Sequence, residues 1–270
     1  MKKNQNRITE YRKMFQAWKN AGMVTYAGFI IGLLGDTPAS VRRDIEIIQK
    51  ELPVDLLEFT MLTPLPGSED HQRLHEQDVW MDPDLNKYDL ETATVVHPLM
   101  SREEWQRTYW DAWNWYYSNE HVERMMRRNL AYGINPVRIL RGVLQIYGAM
   151  NFEGVHPQQC GYLRRKDRTQ RRPELPRVSA VIFYPTHAWR TVAKYARFAL
   201  YALKGVRMRY RVQADAGAKT YSDPAVTPVV DAEEEALEMF ALNDSARAAV
   251  DKARGQALRR RRAAEAAVNG

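Results

Sequence analysis

The sequence predicts an α/β fold over residues 1–80, followed by a mainly α-helical region. An apolar, β-branched run at 24–31 and a second at 56–61 each indicate a buried strand. Between them, the pair Thr37-Pro38 provides a hydroxyl cap and a proline at the first helical position. Strand, helix and strand in this order predict a parallel pair joined by a right-handed crossover.

The segment before the first strand predicts a further helix, at about 8–21. Ile8, Tyr11, Phe15 and Trp18 recur at spacings of three and four, and Gly22 follows as a stop signal. A single strand–helix–strand unit leaves its sheet edges uncovered. We therefore expect this helix to be the crossover from a strand that lies outside the chain.

Beyond residue 80 the predicted elements are helices and loops. Ser101 and Glu104 form a capping box that begins an aromatic helix running to about residue 130. A second helix is predicted at 136–150 and a basic, aromatic one at 187–206. The predicted division is 1–80 for the strand region, 81–150 for a helical region packed on it, 151–212 for a basic loop and amphipathic helix, and 213–270 for a linker and a helical or disordered tail.

Composition narrows the function classes. The 270 residues carry a formal net charge of +7, which suits an anionic partner without selecting one. The single cysteine, Cys160, excludes an internal disulfide and a metal site built from this chain's thiolates alone. His71 and His75 share a helix face but lack a third ligand, so no metal site is predicted. No signal peptide or membrane-spanning run is found, and a cytoplasmic location is expected.

The glycine-containing first strand carries the main functional hypothesis. Gly28, Ile30 and Gly32 fall on one strand face, where glycines leave room for a flat ligand near the backbone. In the second strand, Glu58 and Thr60 alternate with apolar residues and are expected to point into a polar lumen. A glycine-flanked strand is also common in α/β proteins that bind nothing there.

These two strands resemble a known family. Gly28-Phe29-Ile30-Ile31-Gly32, with Asp36 and the helix start after it, is similar to the fifth-strand motif of radical S-adenosylmethionine (radical SAM) barrels. The run at 59–67 resembles the sixth strand and its loop. The likeness covers roughly residues 5–80 and is nearest to the group that often carries an N-terminal cobalamin-binding domain.

The resemblance implies a partial TIM-like barrel comprising the last one or two βα units. It places the adenosine part of S-adenosylmethionine on Gly28, Ile30, Gly32 and Asp36. Substrate would contact Glu58, Thr60, Thr63 and Pro64. The full-length family member would also use a [4Fe-4S] cluster, and cobalamin is a further cofactor of the group.

The chain departs from the family in one decisive respect. The CxxxCxxC motif that holds the cluster is absent from these 270 residues. We therefore expect no radical chemistry from this chain alone, assign no catalytic residue, and leave open whether it is an enzyme by itself. The expected partner is the missing N-terminal half or another chain.

A second hypothesis rests on the basic helix near 189–211. In it the chain is a non-catalytic module whose helix docks on an anionic membrane or an acidic partner, giving a membrane-peripheral location. The competing interpretation is a solvated basic face packed on the barrel. No specific nucleic-acid recognition is predicted, since charge alone would support it.

Overall fold

The computed structural model describes residues 10–159, 166–170 and 175–227. The fold is α/β and mainly helical, with one two-stranded sheet among the described residues. Its main elements, in chain order, are α1 (Tyr11–Asn20), β1 (Tyr26–Ile31), α2 (Pro38–Glu51), β2 (Leu56–Met61), α3 (Glu69–Glu76), α4 (Arg102–Tyr116), α5 (Asn119–Ala131), α6 (Pro136–Gly148) and α7 (Ala180–Ala214). A single π turn, Ala149–Glu153, extends α6.

The predicted strand–helix–strand unit is confirmed. β1 and β2 pair in parallel, with Gly28 opposite Glu58 and Ile30 opposite Thr60. Thr37 caps α2 by accepting a hydrogen bond from the Ser40 amide at 3.1 Å. A complete barrel is not present in the described part of the chain.

The core lies on the face of the sheet that carries the apolar residues of β2. Leu57, Phe59 and Met61 are all buried there; α4 packs on β2 and α2 packs on α4. The ring centroid of Phe59 lies 5.2 Å from that of Trp113 in α4. The aromatic residues of α4 are therefore core residues, as their helical spacing predicts.

Two expected helices differ from the structure. The aromatic helix ends at Tyr116 rather than near residue 130, because Ser118 begins α5 as its cap and accepts from the His121 amide at 3.4 Å. A serine hydroxyl that bonds a helix N-terminus favours a new start over continuation. The basic helix, α7, spans 35 residues and begins earlier than predicted.

The expected linker is instead packed where the structure describes it. Ala218 and Ala225 are fully buried, and Asp223 pairs with the buried guanidinium of Arg128 at 2.7 Å. The buried Gln16 side chain of α1 donates to Ala225 O at 3.0 Å. Residues 215–227 thus contact both α1 and α5. The predictions for Cys160 and for residues 228–270 lie outside the described residues.

Candidate functional site

The candidate site is the β1 half of the sheet face opposite Phe59, which we call the open face; α6 packs on the β2 half of the same face. Tyr26, Gly28 and Ile30 of β1 are all exposed on this face. A Cβ atom added at Gly28 would meet no atom within 4 Å. The room that the sequence predicts beside Gly28 is therefore present, with the apolar Ile30 side chain next to it.

Gly32 does not belong to this open face. The strand ends at Ile31, and Gly32 has φ +109°, so the alternation of side chains no longer applies to it. A Cβ there would lie 2.1 Å from Cζ2 of Trp105 in α4. The expectation that Gly32 shares the face of Gly28 and Ile30 is thus corrected, because an indole ring fills the space beside it.

Asp36 holds the turn that follows β1. Its Oδ2 accepts hydrogen bonds from the Gly32 amide at 2.8 Å and from the Leu33 amide at 2.9 Å. A carboxylate that accepts two backbone N–H groups fixes the direction in which the chain leaves the strand. In this structure Asp36 therefore shapes the end of the open face.

Glu58 is buried next to the open face rather than projecting into an open lumen. Its side chain is 4% exposed, and the Tyr26 hydroxyl donates a hydrogen bond to its Oε2. Its Oε1 lies 3.1 Å from His156 Nε2, which donates instead to Phe59 O at 3.2 Å. Glu58 Oε1 is left without a hydrogen-bond partner among the described residues.

The two titratable groups of this cluster favour their neutral forms. Burial raises the pKa of Glu58, and the side chain of Gln158 opposes this shift. Burial lowers the pKa of His156, against the hydrogen bond to the Phe59 carbonyl, which raises it. A neutral carboxyl group can donate as well as accept a hydrogen bond.

The other residues predicted to contact substrate are less accessible to a ligand on this face. Thr60 is half-buried on the same face as Glu58. The Thr63 hydroxyl donates to Met61 O at 3.1 Å, and Pro64 is buried. Thr63 and Pro64 therefore stabilise the loop after β2, and the structure brings only Thr60 beside Glu58.

Tyr26 and His156 are the residues of this site that the sequence analysis did not identify. Tyr26 lies two residues before Gly28, so strand alternation alone places it on the same face. His156 lies in the loop after α6, 97 residues from Phe59 along the chain, and has no local sequence signal.

The outer edge of β2 is closed by side chains. The Tyr117 hydroxyl accepts from Leu57 N at 3.0 Å and donates to Leu57 O at 2.8 Å. His156 satisfies Phe59 O, the next outward carbonyl along this edge. These bonds occupy positions that a further strand would need.

The outer edge of β1 is open. Leu56 N donates to Thr25 O at 3.0 Å. The backbone N–H and C=O groups of the odd-numbered β1 residues therefore point toward β2, and those of the even-numbered residues point away from it. The backbone groups that point away from β2 belong to Tyr26, Gly28 and Ile30. None of these N–H and C=O groups has a hydrogen-bond partner among the described residues. The open edge and the open face therefore share the same three residues.

No metal site is found in the part of the chain that the structure describes. His71 and His75 both lie on α3, and no group of three or more candidate ligands surrounds them. Within the same residues, no helix combines the length and apolar character needed to cross a bilayer.

Comparisons with known proteins add no assignment. The chain matches no protein-family model, no curated protein and no solved structure.

Proposed function

We propose that this chain supplies the last two strands of a radical SAM-type barrel. In this proposal β1 forms the adenosine-side wall of the S-adenosylmethionine site, and β2 contributes part of the substrate lumen. The observation that carries it is the contrast between the two sheet edges. The β2 edge is closed, whereas, within the described part of the chain, the β1 edge offers unpaired backbone groups beside an open glycine-containing face.

The open face suits the flat part of such a cofactor. A purine ring needs backbone within van der Waals reach and an apolar neighbour, which Gly28 and Ile30 supply. Gly32 is not available for this contact because Trp105 covers it. Asp36 acts on the cofactor only indirectly, by holding the turn at the end of β1.

The chain does not fit the [4Fe-4S] cluster on its own. A cluster of this type needs three thiolates, and the sequence contains one cysteine. The cluster would have to be held by another polypeptide or by a segment preceding this one. The use of cobalamin is supported by the family resemblance alone.

Glu58 is the residue we assign to the substrate. Glu58 lies directly across the register from Gly28, and its buried Oε1, 3.1 Å from His156 Nε2, has no hydrogen-bond partner among the described residues. A hydroxyl or amine of a bound substrate would satisfy that oxygen. Leaving a buried acceptor unsatisfied costs about 1–3 kcal/mol, and such a ligand would recover part of that cost.

The first test is to read the genomic DNA upstream of the codon for Met1 for a CxxxCxxC motif. The assembled protein, containing that region and this chain, is expected to form 5′-deoxyadenosine from S-adenosylmethionine under reducing conditions. Gly28→Trp should abolish S-adenosylmethionine binding by filling the open face.

Ala39→Trp is the matched control, because it adds the same ring at an exposed position on α2. Binding by Gly28→Trp equal to that of Ala39→Trp would contradict the proposal. A redox-active [4Fe-4S] cluster assembled on this chain alone would contradict it as well.

A further inference from the structure

An exposed apolar stripe runs along α7, and its first two members, Ile182 and Trp189, also border a cavity lined by residues 152–155 and 166–170. Trp189 and Leu200 are 73% and 68% exposed, among the most exposed large apolar side chains described. The members recur at intervals of three, seven or eight residues and so share one helix face. This outer stripe consists of Ile182, Trp189, Val192, Leu200, Leu203 and Tyr210.

The C-terminal half of α7 is packed on its opposite side, which fixes the orientation of the stripe there. Met208 and Val212 are buried, and α7 contacts both α5 and α6. Gly205 allows a close approach to α6, because a Cβ there would lie 2.5 Å from Leu140 Cδ1. The helix cannot turn its outer stripe inward without losing this packing.

The charge of α7 has a single sign. Its 35 residues contain seven lysines and arginines and no aspartate or glutamate. Four of the cations recur every seventh residue and line one border of the outer stripe; they are Arg190, Arg197, Lys204 and Arg211. Arg211 pairs with Glu123, whereas no acidic partner is described for the other three. We call these three residues the basic flank.

This charge pattern indicates what covers the stripe. A second copy would bring another helix without acidic residues against the basic flank, and like charges would repel. An anionic bilayer surface attracts each such cation and accepts an apolar helix face at the boundary of headgroups and acyl chains. The stripe is about 42 Å long, at roughly 1.5 Å for each of 28 residues.

We propose that the outer stripe of α7 docks on an anionic lipid surface, with the basic flank contacting lipid phosphates or carboxylates. The helix lies on the membrane rather than crossing it. This inference does not depend on radical SAM chemistry, since it rests on α7 alone.

Co-sedimentation of the full chain with vesicles tests this proposal. The chain should bind vesicles of phosphatidylcholine and phosphatidylserine in equal amounts at low salt, and be released at high salt. Arg190→Gln, Arg197→Gln and Lys204→Gln together should weaken binding by roughly tenfold or more. Trp189→Ser with Leu200→Ser should weaken it comparably.

A charge-matched control distinguishes vesicle binding by α7 from attraction that depends only on the net charge of the chain. Arg43→Gln, Lys50→Gln and Arg107→Gln remove the same three charges from exposed positions on α2 and α4. This variant should keep binding within about twofold of wild type. No binding at low salt, equal binding to pure phosphatidylcholine, or equal losses in both charge variants would each overturn the proposal. A dimer that Trp189→Ser with Leu200→Ser dissociates would overturn it in favour of a second copy.

Discussion

The indole of Trp105 occupies the space that a side chain at position 32 would need. Trp105 Nε1 donates a hydrogen bond to Ile31 O at 3.2 Å, so the ring is held at the end of β1. Gly32 adopts φ +109°, a backbone conformation that favours glycine. The contact ties the first strand to the helix that forms most of the aromatic core.

Gly32→Ala is expected to lower the free energy of unfolding by about 3 kcal/mol, since it adds both a clash and backbone strain. Gly35→Ala is the control, because a Cβ there meets open space; it should cost nothing or add up to about 1 kcal/mol. Urea unfolding measures both. If the clash with Trp105 contributes, Gly32→Ala will cost less in a Trp105→Ala background.

Asp55→Asn is expected to destabilise the protein by about 3 kcal/mol. Lys19 is fully buried, and its Nζ lies 2.7 Å from Asp55 Oδ2. Burial lowers the pKa of Lys19 and Asp55 raises it, so the amide would leave a buried cation without its counter-charge.

The exposed ion pair of Arg42 and Glu46 provides a control for the loss of stability expected from Asp55→Asn. Glu46→Gln should cost less than about 1 kcal/mol in the same unfolding experiment. Equal effects from the two substitutions would show that the buried pair contributes no more than a surface pair.

Asp44→Asn should change how stability depends on pH. Burial, and then the nearby Asp36, raise the pKa of Asp44 from 3.8 to about 6. The folded protein therefore holds a proton that the unfolded chain releases, so this contribution is present below pH 3.8 and lost as pH rises to about 6.

The asparagine should remove that dependence and raise stability at pH 7 by about 1 kcal/mol, after allowance for solvent screening. Melting temperature measured across this pH range is the readout. Asp70→Asn, at an exposed position on α3, should keep the wild-type slope. An unchanged slope in Asp44→Asn would contradict the raised pKa.

Asp223→Asn tests whether residues 215–227 are part of the folded unit. Arg128 is buried and donates to Asp223 at 2.7 Å and to Gln49 O at 2.7 Å. Removal of the carboxylate leaves a buried guanidinium partly unpaired, for an expected loss of about 3 kcal/mol. Limited proteolysis should then cut this segment faster than in wild type. A cleavage rate equal to wild type would support the linker interpretation instead.

The elements with local signals could be predicted from the sequence. The bounds of β2, the cap of α2 at Thr37 and the capping box at Ser101 depend on residues a few positions apart, and the structure contains all three. The division of the aromatic helix had a local signal too, in Ser118, but the long apolar periodicity obscured it.

The site could be predicted only in part. Strand alternation correctly places Gly28 and Ile30 on one face with Glu58 and Thr60. It could not show that Trp105 fills the space beside Gly32, because that contact joins elements far apart in the chain. For the same reason the burial of Glu58 beneath His156 had no signal in the sequence.

The unequal edges of the sheet limit how copies of this chain can associate. If two chains joined through β1, running antiparallel across a twofold axis, Tyr117 and His156 would block growth on both outer sides. Self-association of the isolated chain through its sheet should therefore stop at a dimer instead of continuing into fibrils. Tyr117 and His156 at the edge of β2 thus keep the sheet from growing beyond two chains.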